Sequence, residues 1–452
     1  MKPTLDAIRD CLEGAIPAVM ATCSGDGVPN VAYLSQVQFV DGEHVALSFQ
    51  FFNKTRQNVL VNPIARLVVL HPQTAAAYQL TVRYLRTETA GPLFERMKAK
   101  LAGIASHTGM SGVFRLQGSD VYQVIDIQQL PGTTLPPVPP RRNLLSALRS
   151  ASERLNACPD LDRLLNEALG CLASLFGIEH SMILMLDESG QRLYTVASHG
   201  YPQSGVGSEI ALGHGVIGVA ARERTPIRIG YMTSEYAYSR AIREQAAQGG
   251  LAAMLETEIP LPGLAESRSQ LAVPIAGLQR ISGVLFVESP HDLRFTYDDE
   301  DALVALAGQL GMSIPMLQNA AEVAEAAPGG EVRPPQAAGA PIVIRHYAEN
   351  DSVFLDDDYL IKGVAGSIFW TLVSDFLSRN RSAFTNRELR LDPRIRLPDI
   401  SDNLEARLIL LQRRLAERDA GVHLEKTGRG RFRLCVGRPL QLAEVASGLP
   451  QR

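Results

Sequence analysis

The sequence predicts a multidomain α+β protein of three modules: a strand-rich small barrel, a sandwich of strands and helices, and a helical unit closed by a basic hairpin. Three observations lead there. The chain has 452 residues, too many for one core and suited to three domains at roughly 100–200 residues each. Residues 131–142, PGTTLPPVPPRR, hold five prolines in twelve positions, a stiff, extended stretch that cannot continue a helix. Residues 318–341 hold eight Ala, four Pro and three Gly, with little to bury, and read as a flexible tether. The modules so divided are 1–130, 143–317 and 342–445.

Hydrophobic residues are 46% and charged residues 20%, with a mean hydropathy of +0.00, the profile of a globular chain rather than a disordered or fibrous one. No apolar run approaches the roughly 18 residues of a membrane span, so no membrane partner is expected. Asp6, Asp10 and Glu13 interrupt what would be the apolar core of a signal peptide. The five cysteines form no Cys-x-x-Cys pair and no metal-finger spacing, a pattern suited to a reducing cytoplasm. Net charge is −4, so any nucleic-acid surface has to be local.

In the first module AIPAVMATC, VPNVAYLSQVQFV, HVALSFQFF and ARLVVLH are short β-rich runs separated by turn signals. YQLTVRYLRTETAG, a helix around FERMKAKLAGIA and a closing pair around VFRLQ and VYQVID follow. Many strands with one or two helices suggest a small barrel. The middle module opens on a helix with Leu144, Leu148, Ala151 and Leu155 at helical spacing and closes on another with Leu303, Leu306, Leu310, Ile314 and Leu317 on one face. Strands lie between them, an α+β sandwich. The third opens with strands and two helices. A third helix follows, Asp402 and Glu405 forming its capping pair and Leu404, Leu408, Leu411 and Leu415 its apolar stripe, and then the hairpin VHLEK-TGRG-RFRLCV.

The run Ser48 to Pro63 takes a strand into a turn carrying Lys54 and Arg56 and then into a helical start, a combination suited to an anion such as phosphate. With Ala21-Thr22-x-x-x-Asp26-Gly27-x-Pro29, it resembles the FMN-binding split barrel of the pyridoxamine 5′-phosphate oxidase family over most of residues 10–130. The resemblance implies FMN held by Ser48, Phe49, Lys54, Thr55 and Asn58, with Gln79 as a weaker candidate. Haem is the alternative planar ligand. The family's early arginine position is Ala32 here. His71 and His107 are candidate axial or acid–base groups, although a lone histidine more often makes ordinary hydrogen bonds. No catalytic residue is assigned, and sensing is favoured over turnover.

Gly213-His214-Gly215-Val216-Ile217-Gly218 matches G-x-G-x-x-G, but a dinucleotide site needs a buried strand before it and a long helix after it. The weak SEIAL run before it and the quick return to a strand argue for an accidental match. The whole run Ile210 to Glu288 is similar instead to a GAF domain, through Ala220 to Pro226, Ser269 to Ile275 and Gly283 to Glu288. That resemblance spans roughly 145–317 and implies a small-molecule pocket under the loop 230–262, whose Tyr231, Tyr236, Tyr238, Arg240 and Arg243 are the candidate ligand contacts. A ligand-free dimerisation module is the plainer alternative. The end helices could form a homodimer bundle or simply cover their own sheet.

Lys426, Arg429, Arg431 and Arg433 put four positive charges within eight residues of the hairpin, and Arg407, Arg414 and Arg418 recur at intervals of seven and four on the preceding helix. Phosphates need such a cationic surface. Together with Phe384 to Leu389 and the helix from Asn403 to Arg418, the pattern resembles the winged-helix output domain of OmpR-type response regulators. The resemblance implies DNA as partner, with Arg407 and Arg414 reading bases in the major groove and Arg413, Arg418, Lys426, Arg429, Arg431 and Arg433 on phosphates. Segment 342–436 is only +2 overall, and Asp399, Asp402 and Glu405 sit at the helix start, so a solvated or protein-binding hairpin is the competing reading. Asp356-Asp357-Asp358 reads as a solvated turn, not a metal site.

The expectation is therefore a cytoplasmic, ligand- or redox-responsive transcriptional regulator, a homodimer that senses a flavin or small molecule and binds DNA. The alternative is an FMN-dependent oxidoreductase regulated by its GAF domain.

Overall fold

The structure, a computed structural model, describes residues 2–12, 18–34, 36–49, 54–91, 93–98, 101, 116–136, 143–187, 191–230, 259–277, 280–323, 340–395, 404–418 and 421–445.

In the first module, strands β1 (Ala18–Cys23), β2 (Pro29–Leu34), β3 (Val37–Phe39), β4 (His44–Phe49), β5 (Ile64–Leu70), β6 (Ala77–Glu88) and β7 (Gly118–Gln129) form one sheet in the order β2-β1-β5-β6-β7-β4-β3. All its pairings are antiparallel. Alternation drives the curl: in β5, Ala65, Leu67 and Val69 are buried while Ile64 and Arg66 are exposed. Their inner face packs on Val45, Leu47, Leu80, Val82 and the 3-10 turn Asp6–Leu12. Helix α1 (Lys54–Val61) follows β4 across the sheet's rim and buries Thr55, Asn58 and Val59.

The middle module has helices α2 (Leu144–Asn156) and α3 (Leu161–Ser174), each started by a side-chain cap, Asn143 on the Ser146 amide and Asp160 on the Arg163 amide. Strands β8 (His180–Leu186), β9 (Arg192–His199), β10 (Glu209–Ala211), β11 (Ile227–Ile229), β12 (Ser269–Gly277) and β13 (Arg280–Ser289) form an antiparallel sheet, order β10-β9-β8-β13-β12-β11. Helix α4 (Gly215–Glu223) covers one face. Helices α2, α3 and α5 (Tyr297–Val323) cover the other through Leu155, Leu164, Leu172, Leu303, Leu306 and Leu310. The tether expected from residue 318 begins later, because α5 runs on to Val323 through the Ala-rich stretch, alanine being the best helix former.

The G-x-G-x-x-G run follows three-residue β10 of an antiparallel sheet, and its last four residues are the first four of nine-residue α4. No parallel βαβ unit surrounds it, and its glycines serve packing: a Cβ on Gly218 would come within 2.4 Å of the Ala211 carbonyl oxygen.

In the third module β14 (Ile342–Tyr347), β15 (Ser352–Leu355) and β16 (Asp358–Ile361) form a meander, to which β20 (Leu440–Val445) adds in parallel. Helix α6 (Gly363–Arg379), strand β17 (Ala383–Thr385), helices α7 (Asn386–Leu391) and α8 (Leu404–Arg418), and hairpin β18 (Val422–Gly428)–β19 (Arg431–Val436) follow, the small sheet being ordered β17-β19-β18. A full capping box, Thr385 with Glu388, starts α7. The expected partner of Glu405, Asp402, lies outside the described residues.

The modules touch at two seams. Arg9 of the barrel pairs with Asp301 at 2.9 Å and lies over the Tyr297 ring at 4.3 Å, with Arg228 over that ring at 4.2 Å. The second seam joins α8 to the middle module and is described below. No helix among the described residues is long and apolar enough to cross a membrane.

Candidate functional site

Two basic regions were singled out, and the sheet register decides the first. Ser48 pairs with Ser119 and Phe49 with Gly118 on β7, at the level of Glu88 on β6. Gln79 lies nine residues back along β6, opposite Gln128, which at about 3.3 Å per residue is roughly 30 Å away. Gln79 is therefore corrected out of the group formed by Ser48, Phe49, Lys54, Thr55 and Asn58 at the β4–α1 corner.

Within that corner, Thr55 and Asn58 build the fold. Thr55 Oγ1 accepts from Asn30 Nδ2 at 2.9 Å, and buried Asn58 Nδ2 donates to Thr22 Oγ1 at 3.1 Å. Both side chains are turned into the rim instead of outward. Arg56 packs its guanidinium 3.9 Å from the Phe49 ring centroid, pairs with both Asp120 oxygens at 2.5 Å and donates to Thr87 Oγ1 at 2.9 Å. Thr87 in turn bonds the Tyr84 hydroxyl at 2.7 Å. Burial lowers the Arg56 pKa, but the hydrogen bonds and charge of Asp120 outweigh it and hold the group more firmly protonated than usual. Sequence reasoning missed this cluster because Arg56 and Asp120 are 64 positions apart and share no local pattern.

The fit to a flavin phosphate is partial. Lys54 is exposed at the first turn of α1, where an ammonium and helix amides both favour an anion, and Ser48 and Phe49 are half-buried beside it. The neighbouring guanidinium is already balanced by a carboxylate. As arranged, the corner can hold an anionic, planar ligand through Lys54 and the Phe49 edge, while Arg56 contributes shape instead of charge.

His71 Nδ1 accepts from the Gln73 and Thr74 amides at 3.2 Å, a turn-stabilising role; His107 lies outside the described residues. So do Tyr231, Tyr236, Tyr238, Arg240 and Arg243. On the α4 side of the sheet, Met182, Leu184, Leu193, Val216, Ile217 and Phe286 form an apolar cluster.

The second region, the eight cations of α8 and the hairpin, divides sharply. Arg407 lies 3.9 Å over the Tyr194 ring of the middle module. Arg413 donates to the Val196 carbonyl at 2.6 Å, to Asp162 at 2.7 Å and to Asn166 at 2.8 Å. Arg414 is 6% exposed and bonds the Leu360 carbonyl and Glu417. Arg418 donates to the Tyr359 carbonyl at 3.0 Å, and Lys426 pairs with Asp160 at 3.0 Å. The expectation of one electropositive ridge is thus corrected: Arg407, Arg413, Arg414, Arg418 and Lys426 are engaged within the molecule, Arg418 and Lys426 while still exposed to solvent. Arg429 is exposed at the hairpin tip, where Gly430 takes φ +65°. Arg431 and Arg433 alternate with buried Phe432 and Leu434 along β19 and are themselves half-buried.

A cavity of about 270 Å³ lies between α3, α8 and the hairpin, lined by Asp160, Asp162, Arg163, Glu405, Lys426 and Arg431 among others. Burial raises the Glu405 pKa above the usual carboxylate range, against the opposing charge of Lys426 at 3.7 Å. Asp356 accepts from the Val343 amide, and Asp357 pairs with Arg345 and Asp358 with Arg418, so the acidic run points three ways. No metal-binding cluster occurs among the described residues. Burial raises the thiols of Cys11 to about 12 and Cys171 to about 11, which leaves them inert.

The family model described as pyridoxamine 5′-phosphate oxidase matches residues 4–124, and that described as GAF domain matches residues 158–314. Among solved structures, an FMN-binding protein from Syntrophomonas wolfei is 17% identical over 28% of this chain and 86% of its own, with a TM-score of 0.25. The GAF domain of an Acinetobacter phosphoenolpyruvate-protein phosphotransferase is 24% identical over 41% and 99%, with a TM-score of 0.31. Free methionine-R-sulfoxide reductase from Neisseria meningitidis is 20% identical over 39% and 91%, with a TM-score of 0.31. No curated protein matches the chain. Residues 4–124 thus match a split barrel of the pyridoxamine 5′-phosphate oxidase type and residues 158–314 a GAF domain, and a third module follows them.

Proposed function

We propose that this chain is a ligand-responsive transcriptional regulator. Its split barrel takes up a planar, anionic cofactor, FMN being the candidate and haem the alternative. The GAF domain receives a second small molecule. The C-terminal module, read as a winged helix, contacts duplex DNA. The observation that carries this reading is the hairpin: exposed Arg429 and the half-buried Arg431 and Arg433 stand on a two-stranded support. That support is anchored by β17 in a helix–strand–helix–helix–hairpin order. Cations at a wing tip suit backbone phosphates, which give affinity without sequence information.

No chemical step is assigned to the barrel. Its contribution is binding: Phe49 offers a ring edge, Lys54 a charge, and Ser48 a hydroxyl at the corner. FMN, when bound, would supply a redox-active ring, and the seam through Arg9 and Tyr297 leads from the barrel to the GAF domain. The test has two arms. Added FMN should be quenched by the purified chain, and Lys54→Ala should weaken that at least about fivefold. A duplex retained by the parent should be released by the pair Arg429→Ala and Arg433→Ala. Unquenched flavin removes the cofactor, and retention unchanged in the double variant removes the wing.

A further inference from the structure

The helix expected to read DNA is covered by the sensor. Helix α8 buries Leu404, Leu411 and Leu415 in a hydrophobic cluster that runs on into the GAF domain and meets that domain with much of the rest. Its arginines find there what phosphates would offer: the Val196 carbonyl, the Asp162 carboxylate and the Asn166 amide oxygen on Arg413, and the Tyr194 ring under Arg407. Glu417 accepts from the Ser204 hydroxyl. Lys426 on the hairpin reaches Asp160, and Lys362 before α6 reaches Glu209 at 3.2 Å. At Gly207, with φ +91°, a Cβ would meet Ile259 Cδ1 at 2.7 Å and lie in ordinary contact with the side chains of Leu410 and Arg414 of α8 at 3.6 and 3.7 Å, so the α8 side chains pack against this turn. A guanidinium whose donors are spent on these oxygens cannot also hold a phosphate or a base edge.

The charged part of the seam can be exchanged for other partners. Above the apolar cluster that the two modules share, its ion pairs are partly solvated: Asp162 is 42% exposed and Lys426 43%, a setting in which ion pairs are weak and screened by salt. The 270 Å³ cavity between Asp160, Glu405 and Lys426 leaves it incompletely packed.

We propose that the GAF domain masks helix α8 from DNA, its Asp160, Asp162 and Val196 oxygens occupying the donors that phosphates would take, and that undocking of the C-terminal module is the switch. This rests on the DNA-binding reading above and adds its regulation. Whatever ligand biases the GAF domain changes DNA affinity only through its differential affinity for docked and undocked forms.

The experiment uses the full chain with Asp160→Asn and Asp162→Asn combined. Asparagine keeps the α3 cap at 160, and both changes lie outside the DNA-binding set. Phenylglyoxal labelling of individual arginines, mapped by peptide mass, reports exposure, and a random-sequence duplex reports affinity. In the parent, Arg407 and Arg413 should label far more slowly than Arg429. In the variant their labelling and the duplex affinity should each rise about tenfold, while Asp162→Glu stays near parent values. Parent Arg407 and Arg413 labelling as fast as Arg429 overturns the masking. So does faster labelling with parental duplex affinity. Faster labelling with no duplex binding by either protein overturns the DNA reading and the switch with it, leaving the docked contact alone.

Discussion

The barrel's basic corner and the basic helix α8 look alike in sequence and behave differently in the fold. Arg56 is neutralised from inside its own module: Asp120 sits on β7 between Leu47 and Thr87, and the pair is 14% and 9% exposed. Arg413 is neutralised from another module, across a seam where its partner is 42% exposed. The first pair is made whenever the barrel folds. The second is made only while two modules are docked. A buried pair inside one core secures a shape, whereas a wet pair between cores can be exchanged for another anion.

The comparison is broken most directly at Asp120. Asp120→Ala leaves Arg56 charged and unpaired, and should cost about 3–5 kcal/mol, read as a lower urea midpoint for the barrel transition. A smaller effect of opposite use comes from Asp120→Asn, which retains a hydrogen bond to Arg56 but frees its charge. FMN binding should tighten by about tenfold, or about 1.4 kcal/mol, measured by flavin quenching; unchanged binding would show that the phosphate does not approach Arg56.

At the other region, Asp160→Asn with Asp162→Asn should alter global stability by no more than about 1 kcal/mol, in contrast to Asp120→Ala. A loss as large as that of Asp120→Ala in the same urea titration would make the seam part of a core. The smallest effect belongs to Glu405. Burial, outweighing Lys426, raises its folded pKa above the unfolded value near about 4.3. The folded state therefore binds the proton more tightly, and the group's contribution is fully present below the unfolded value and is lost as pH rises through the folded one. Glu405→Gln should remove that decline, visible as a flatter midpoint-against-pH curve just above the ordinary glutamate range.

Much of the architecture was legible because it is written at short range. The alternation Arg431-Phe432-Arg433-Leu434 gave one outer and one inner face, and Leu303, Leu306 and Leu310 at helical spacing gave the buried face of α5. The barrel strands were marked by turn signals at their ends. What sequence could not show was the company each charge keeps. Arg56 meets Asp120 across 64 positions and Arg413 meets Asp162 across 251, and no periodicity encodes such a meeting. Gln79 was misplaced for the same reason, since only the β6–β7 register separates it from Ser48. The helix runs past the expected start of the tether because alanine propagates a helix without a sequence pattern of apolar spacing.

The salt dependence of duplex binding by the full chain tests the central claim most directly. Affinity should fall linearly with the logarithm of salt concentration, and the slope should become shallower by about 2 when Arg429 and Arg433 are both replaced by alanine, about one per cation removed. A duplex affinity indifferent to salt, or a slope identical in parent and variant, would contradict a DNA-binding hairpin and return the C-terminal module to a role between proteins.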